Sequence, residues 1–245
     1  MQYLLRNKIK IFIVLFVAAP LFGIAQNNSF KELNFETHDD QRLRFGISVG
    51  GNRSHYNILQ SSKFLDFDSI NVIESINSTG ISLAGLVNLR LSEHLDLRGY
   101  PLNLIFTEKA FEYRLKKPDL FLKEDSITVK KVQGITLAFP VQLKFTSDRI
   151  ANFKAYMLAG ARAEYDLAAN SGKKNNSDAL TLKRLDYAAE MAIGFHFYFP
   201  VFVLTPEIKI SYGLKNMLSR ETNYKYANTI DDIRSRSVTF TLTVE

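Results

Sequence analysis

Stretch after stretch of this chain alternates apolar and polar residues one by one. That period of two constrains the fold more than any other feature. The clearest run is YAAEMAIGFHFYFPVFVLTPEIKISYGL at residues 187–214. Tyr187, Ala189, Met191, Ile193, Phe195, Phe197 and Phe199 fall on one parity; Ala188, Glu190, Ala192, Gly194, His196 and Tyr198 fall on the other. Leu204, Pro206, Ile208, Ile210, Tyr212 and Leu214 then alternate with Thr205, Glu207, Lys209, Ser211 and Gly213. Such a period means β-strands with unlike faces. In a soluble sandwich the Phe-rich face is the core, whereas in a transmembrane barrel it meets lipid and the charges point inward.

Parity predicts eight strands. The others lie at about 43–51, 79–91, 94–107, 134–146, 153–167 and 236–244. Within 94–107 the apolar parity changes from Leu95 and Leu97 to Leu102, Leu104 and Phe106. Gly99-Tyr100-Pro101 between them predicts a β-bulge, which inserts the one residue needed. The connections at 91–94, 146–152 and around 199–202 are short, while 52–78, 108–133, 168–182 and 215–235 are long and polar. The run FLDFDSINVIESI inside 52–78 can extend strands beyond the membrane. Short turns alternating with long loops predict an all-β fold: an eight-stranded antiparallel up-and-down barrel of the OmpA/OmpX kind, with short turns and both termini periplasmic.

The start of the chain places this barrel in the envelope. Arg6, Lys8 and Lys10 precede the apolar run IFIVLFVAAPLFGIA, and Gly23 and Ala25 supply small residues before Gln26. This is the pattern of a secretory signal peptide over 1–25. The run contains Pro20 and is shorter than the about 20 residues of a membrane-spanning helix. Residues 26–41 then form a polar periplasmic lead-in, and 42–245 the barrel. The chain has no Cys, which excludes a lipid-modified N-terminus and disulfide staples. Removing three cations with the signal lowers the formal net charge from +6 to +3. Nucleic acid is not an expected partner, and outer-membrane lipid of a Gram-negative bacterium is.

The inward parity carries Arg44, Arg90, Asp96, Arg98, Lys144, Arg162, Glu164, Arg184, Asp186, Glu190, His196, Glu207 and Lys209. These are expected to form a paired polar network, because an isolated buried charge costs several kcal/mol. Eight strands leave room for side chains only, which argues against a general porin. Tyr100, Tyr165, Tyr187, Phe199, Phe202 and Tyr212 are read as interfacial girdles. Ser54-His55 at the outer rim is the one pairing that suggests a lipid-modifying enzyme, but neighbours on a strand point to opposite faces, so loop decoration is preferred. Asp66, Asp68, Glu124, Asp125, Asp231 and Asp232 are read as solvated loop charge rather than Ca²⁺ ligands. No cofactor, metal, small-molecule substrate or enzymatic activity is expected.

Several segments resemble the PorT/SprT proteins of the type IX secretion system: Phe45-Gly46-Ile47, Gly51-Asn52-Arg53-Ser54-His55, Ala159-Gly160-Ala161 and Asp186-Tyr187-Ala188. The sharpest are GFHFYFP at 194–200 and PEIKISYGLKNML at 206–218. The ending Val244-Glu245 departs from the aromatic ending common in outer-membrane barrels. The resemblance implies a non-enzymatic component of an apparatus that exports proteins bearing C-terminal sorting domains, with other secretion components as partners and a link to gliding motility. A stand-alone OmpX-like or OmpA-like barrel in adhesion or envelope integrity is the alternative.

Overall fold

The computed structural model describes residues 33–60, 70–115, 127–168, 183–217 and 230–245, of which 34–245 belong to one compact unit. The signal segment 1–25 lies outside the described residues, as do Asp66, Asp68, Glu124 and Asp125. Among the described residues there are nine strands: β1 Leu43–Gln60, β2 Ile70–Ile76, β3 Ser78–Arg90, β4 Leu95–Leu115, β5 Ile127–Thr146, β6 Phe153–Asp166, β7 Leu185–Tyr198, β8 Val203–Gly213 and β9 Ile230–Val244. Only Asn77 separates β2 from β3, and both pair with β4. Together they make one wall strand, so the barrel has eight. From β3 onward each strand runs antiparallel to the next, and β9 returns to pair with β1, Ile47 facing Val244. Closure leaves no sheet edge around the wall, the condition a sheet must meet in lipid.

The alternation decides which medium each face meets. In β7 the outward Met191 is 69% exposed and Ile193 57%, while the inward Asp186 and Glu190 are each 2% exposed. A soluble sandwich would show the reverse. Leu83, Val141, Leu143, Ile208, Ile210 and Phe240 are likewise exposed on other strands. No described helix is long and apolar enough to cross a membrane, and strands do the crossing instead.

The predicted bulge appears in the register. Gly85 faces Leu102 and Val87 faces Gly99, so Tyr100 and Pro101 together oppose Leu86. Pro101 lacks an N–H, and a bulge is where a wall strand tolerates that. The extra residue also corrects one expectation: Tyr100 is 5% exposed and packs inside against Leu86 and Ala84, rather than at the lipid interface. Strands β1, β4, β5 and β9 run further into the long-loop side than parity predicts: the ends of β4, to Leu115, and β5, from Ile127, pair with each other, and the end of β1, to Gln60, pairs with β9.

The described end of the lead-in is more ordered than its composition predicts. Residues 34–41 hold a 3-10 turn at Glu36–His38 and lie over the short-turn end of the barrel. Phe35 adopts the left-handed backbone that starts this turn, with φ 51°.

Candidate functional site

The lumen is filled by side chains of the polar parity, stacked in three tiers from the short-turn end to the long-loop end. The first tier is a strap. Asp39 accepts a hydrogen bond from the Tyr198 hydroxyl at 2.7 Å and is paired with Lys154 Nζ at 3.0 Å and Arg149 at 3.5 Å. Asn34 donates its N–H to Asn152 at 2.8 Å, and Arg149 donates to the Asn34 carbonyl while its guanidinium lies 3.8 Å from the Tyr198 ring centre. Burial alone would raise the Asp39 carboxyl. Hydrogen bonds from His38, Tyr198 and Lys154, with the Lys154 charge, outweigh burial and hold it well below the usual carboxylate range.

That depression fixes the sign of a pH effect. A carboxylate whose folded pKa is lowered adds stability above its unfolded pKa of about 4 and loses it as pH falls toward the folded value. Between pH 5 and 8 the strap should therefore stay fastened. Hydrogen exchange at residues 34–40 is expected to quicken only below about pH 4 in the native chain. In an Asp39→Asn variant it should already be quick at pH 7. Equal protection in both chains at pH 7 would rule out Asp39 as the fastener.

The second tier is the densest. Arg98 and Lys144 are fully buried, at 0% exposure. Arg98 donates to Asn88 at 2.9 Å and to Glu207 at 2.7 Å, and lies 3.6 Å from Glu245. The Tyr156 hydroxyl donates to the same Glu207 oxygen at 2.6 Å, and Lys209 approaches the other at 3.3 Å. Asp96 bridges Arg44 at 2.5 Å and Lys144 at 3.2 Å. His196 sits 2.8 Å from the Thr205 hydroxyl. In the third tier Arg162 pairs with Glu190 at 2.8 Å and with Glu164, and Glu190 also accepts from Gln142 and from Ser211 at 3.0 Å. Asp186 accepts from Ser235 at 2.7 Å.

Two residues of the predicted set stand apart. Arg90 binds at the short-turn rim, donating to the Asp39 carbonyl at 2.6 Å. Arg184 is exposed at the opposite rim and donates to the Tyr165 hydroxyl at 3.2 Å. Both are the last polar-parity residues at a strand end, where parity gives a face but not a depth. Asn88 and Gln142 stand on the inward parity as the alternation predicts, whereas Asp39, Tyr156 and Glu245 were missed. The signal that could have found Tyr156 is its place on the polar parity of its strand, with Lys154, Arg162 and Glu164; in the structure its ring faces Gly194 and fills the space a side chain there would take.

Above the third tier the lumen opens into a small cup lined in part by Asn52, Ser54, Thr136, Asp186 and Ser235. Ser54 and His55 both border it, but as neighbours in β1 they belong to opposite faces. Asp232 is paired with Arg234 at 2.7 Å. Among the described residues no His, Asp or Glu cluster has the geometry of a metal site. The cup does not continue as a channel, because the Arg98–Glu207–Tyr156 and Lys144–Asp96 groups fill the lumen beneath it.

A closed antiparallel barrel with an apolar outer belt and a charged, filled lumen is a membrane-spanning β-barrel. The chain belongs to the outer membrane protein beta-barrel domain family, whose model matches residues 24–219. Among solved structures it is similar to Neisserial surface protein A, at 10% identity over 83% of this chain and 99% of that one, with a TM-score of 0.42. It is also similar to Ail of Yersinia pestis bound to the heparin analogue sucrose octasulfate, at 13% identity over 83% and 99%, TM-score 0.37. The Escherichia coli outer membrane protease OmpT aligns at 9% identity over 82% and 94%, TM-score 0.42. No curated protein matches the chain.

Proposed function

We propose that this barrel is a non-enzymatic, non-conducting accessory of the type IX protein export apparatus in the outer membrane of a Gram-negative bacterium, with short turns and termini in the periplasm. The observation that carries the accessory role is the closed lumen. With Arg98, Lys144, Glu190 and Glu207 packed across it, the barrel offers cargo no passage, so its work falls to the outer wall and the long loops. The resemblance of residues 194–200 and 206–218 to PorT/SprT proteins supplies the apparatus. The barrel binds, assembles or gates a larger translocon made of other secretion components.

The test is a clean deletion with the culture medium assayed for proteins bearing C-terminal sorting domains. Their loss from the medium and accumulation in the periplasm is the expected result. Normal export would sink the proposal, and a surface-attachment defect in the same strain would then favour a stand-alone barrel.

A further inference from the structure

The two rims of the belt carry opposite charge. Among the described residues at the short-turn rim, the exposed acids Glu36, Asp40, Glu93 and Asp148 outnumber the exposed arginine Arg42, and other nearby cations are turned inward: Lys154 to Asp39, Arg149 to Asn34 and Tyr198. The outward side chains there are phenylalanines, with Phe153 stacked on Phe195 and Phe199 on Phe202. At the long-loop rim the pattern reverses. Arg53 of β1 is exposed one step above the apolar Val49 and Gly51, facing Val238 of β9 in the register. Arg236, next outward on β9, lies 4.8 Å from the ring centre of Tyr212 on β8. Lys215, just past β8, lies 5.6 Å from that of Tyr187 on β7. Lys183, before β7, is exposed and donates to the Asn216 carbonyl at 3.2 Å. Of the described acids beside this arc, Asp232 is paired with Arg234 and Asp186 accepts from Ser235.

We propose that this arc on β1, β9, β8 and β7 is a binding surface for the phosphate groups of membrane lipid headgroups. Three features fit that occupant. The cations face outward at the upper edge of the apolar belt, which is where headgroup phosphates lie. Tyrosine rings hold Arg236 and Lys215 against the wall, leaving N–H donors for an anion. The arc also borders an uncharged neighbour, because the residue opposite Arg53 on β3 is Thr79. A lipid bound here has its acyl chains on the adjoining belt of Val238, Ile210 and Met191. The inference rests on the barrel and its family, not on the export role.

The test uses the full mature chain folded in mixed micelles. The probe is bis-phosphorylated lipid A, compared with the same lipid stripped of phosphate, and retention is read by native mass spectrometry. The phosphorylated lipid should be retained and the stripped lipid lost. Arg53→Gln, Arg236→Gln and Lys215→Gln should each weaken retention on the order of fivefold. Equal retention of both lipids would overturn the proposal, as would unchanged retention in the folded triple variant. Sucrose octasulfate, which has no acyl chain, is the third arm: saturation in the same concentration range as lipid A would make this a soluble-polyanion site and overturn the lipid assignment. The comparison of lipids on the native chain stands even where a variant fails to fold.

Discussion

Arg98→Leu is expected to destabilise the folded barrel by about 3 kcal/mol, at the lower end of the range for breaking a buried ion pair. The loss does not come from the pair's own worth. It comes from the two carboxylates left behind. Glu207 and Glu245 are buried beside Arg98, and their cost of leaving water was offset by its guanidinium. Lys209 remains 3.3 Å from Glu207, which keeps the penalty from the top of the range. The double variant Arg98→Leu/Glu207→Leu removes one of the two stranded carboxylates and should recover part of the loss, the remainder coming from Glu245 without its guanidinium and Lys209 without its partner. Urea titration in lipid vesicles, with folded and unfolded barrel separated by unheated gel mobility, measures both variants. A single variant within about 0.5 kcal/mol of the native chain would mean that the tier is not held by Arg98.

The arrangement around Arg98 also marks how far the sequence could be read. Strand positions and faces were legible because period two is local: each residue's side follows from its neighbour's. The bulge was legible for the same reason, as a change of parity at Gly99-Tyr100-Pro101. Which inward charges meet was not legible. Arg98 and Glu207 lie 109 positions apart, and Arg44 and Asp96 lie 52 apart. Their meeting depends on strand tilt and closure, which no window of sequence contains. Depth failed where a strand ends, and so Arg90 and Arg184 went into the core set but sit at the rims. Inward parity also includes apolar members. Leu86, Tyr100, Tyr156 and Leu158 fill the lumen between charges, and composition gives no reason to separate them from the lipid-facing set. Tyr156 needs its partner to be understood. An ideal Cβ on Gly194 would fall 2.4 Å from the Tyr156 ring, so the missing side chain lets the ring lie flat and present its hydroxyl to Glu207. The strap was illegible for a plainer reason. Residues 34–40 have no periodicity, and their order comes from groups more than a hundred residues away on β6, β7 and the turn between β5 and β6.

The exposed Phe, Ile and Leu face makes a claim about solvent, and one substitution tests it with a large effect. Ile193 lies midway along β7, between Met157 of β6 and Ile208 of β8, and it is 57% exposed. In water, an exposed Ile→Arg change far from any special contact shifts stability by at most about 0.5 kcal/mol. At the midplane of a bilayer the same arginine costs about 2–4 kcal/mol, falling to about 0–1 near either interface. Ile193→Arg should therefore destabilise the barrel in vesicles by about 3 kcal/mol. Thr79→Arg, beside Arg53 at the long-loop rim, should cost no more than about 1 kcal/mol. The pair carries the argument, because a soluble core behind Ile193 predicts a loss that does not follow depth. Arginines at Met191, Ile193 and Phe197 should trace a penalty that peaks at the first two and declines toward the phenylalanine rim. A flat profile along β7 would mean that this face does not meet a bilayer.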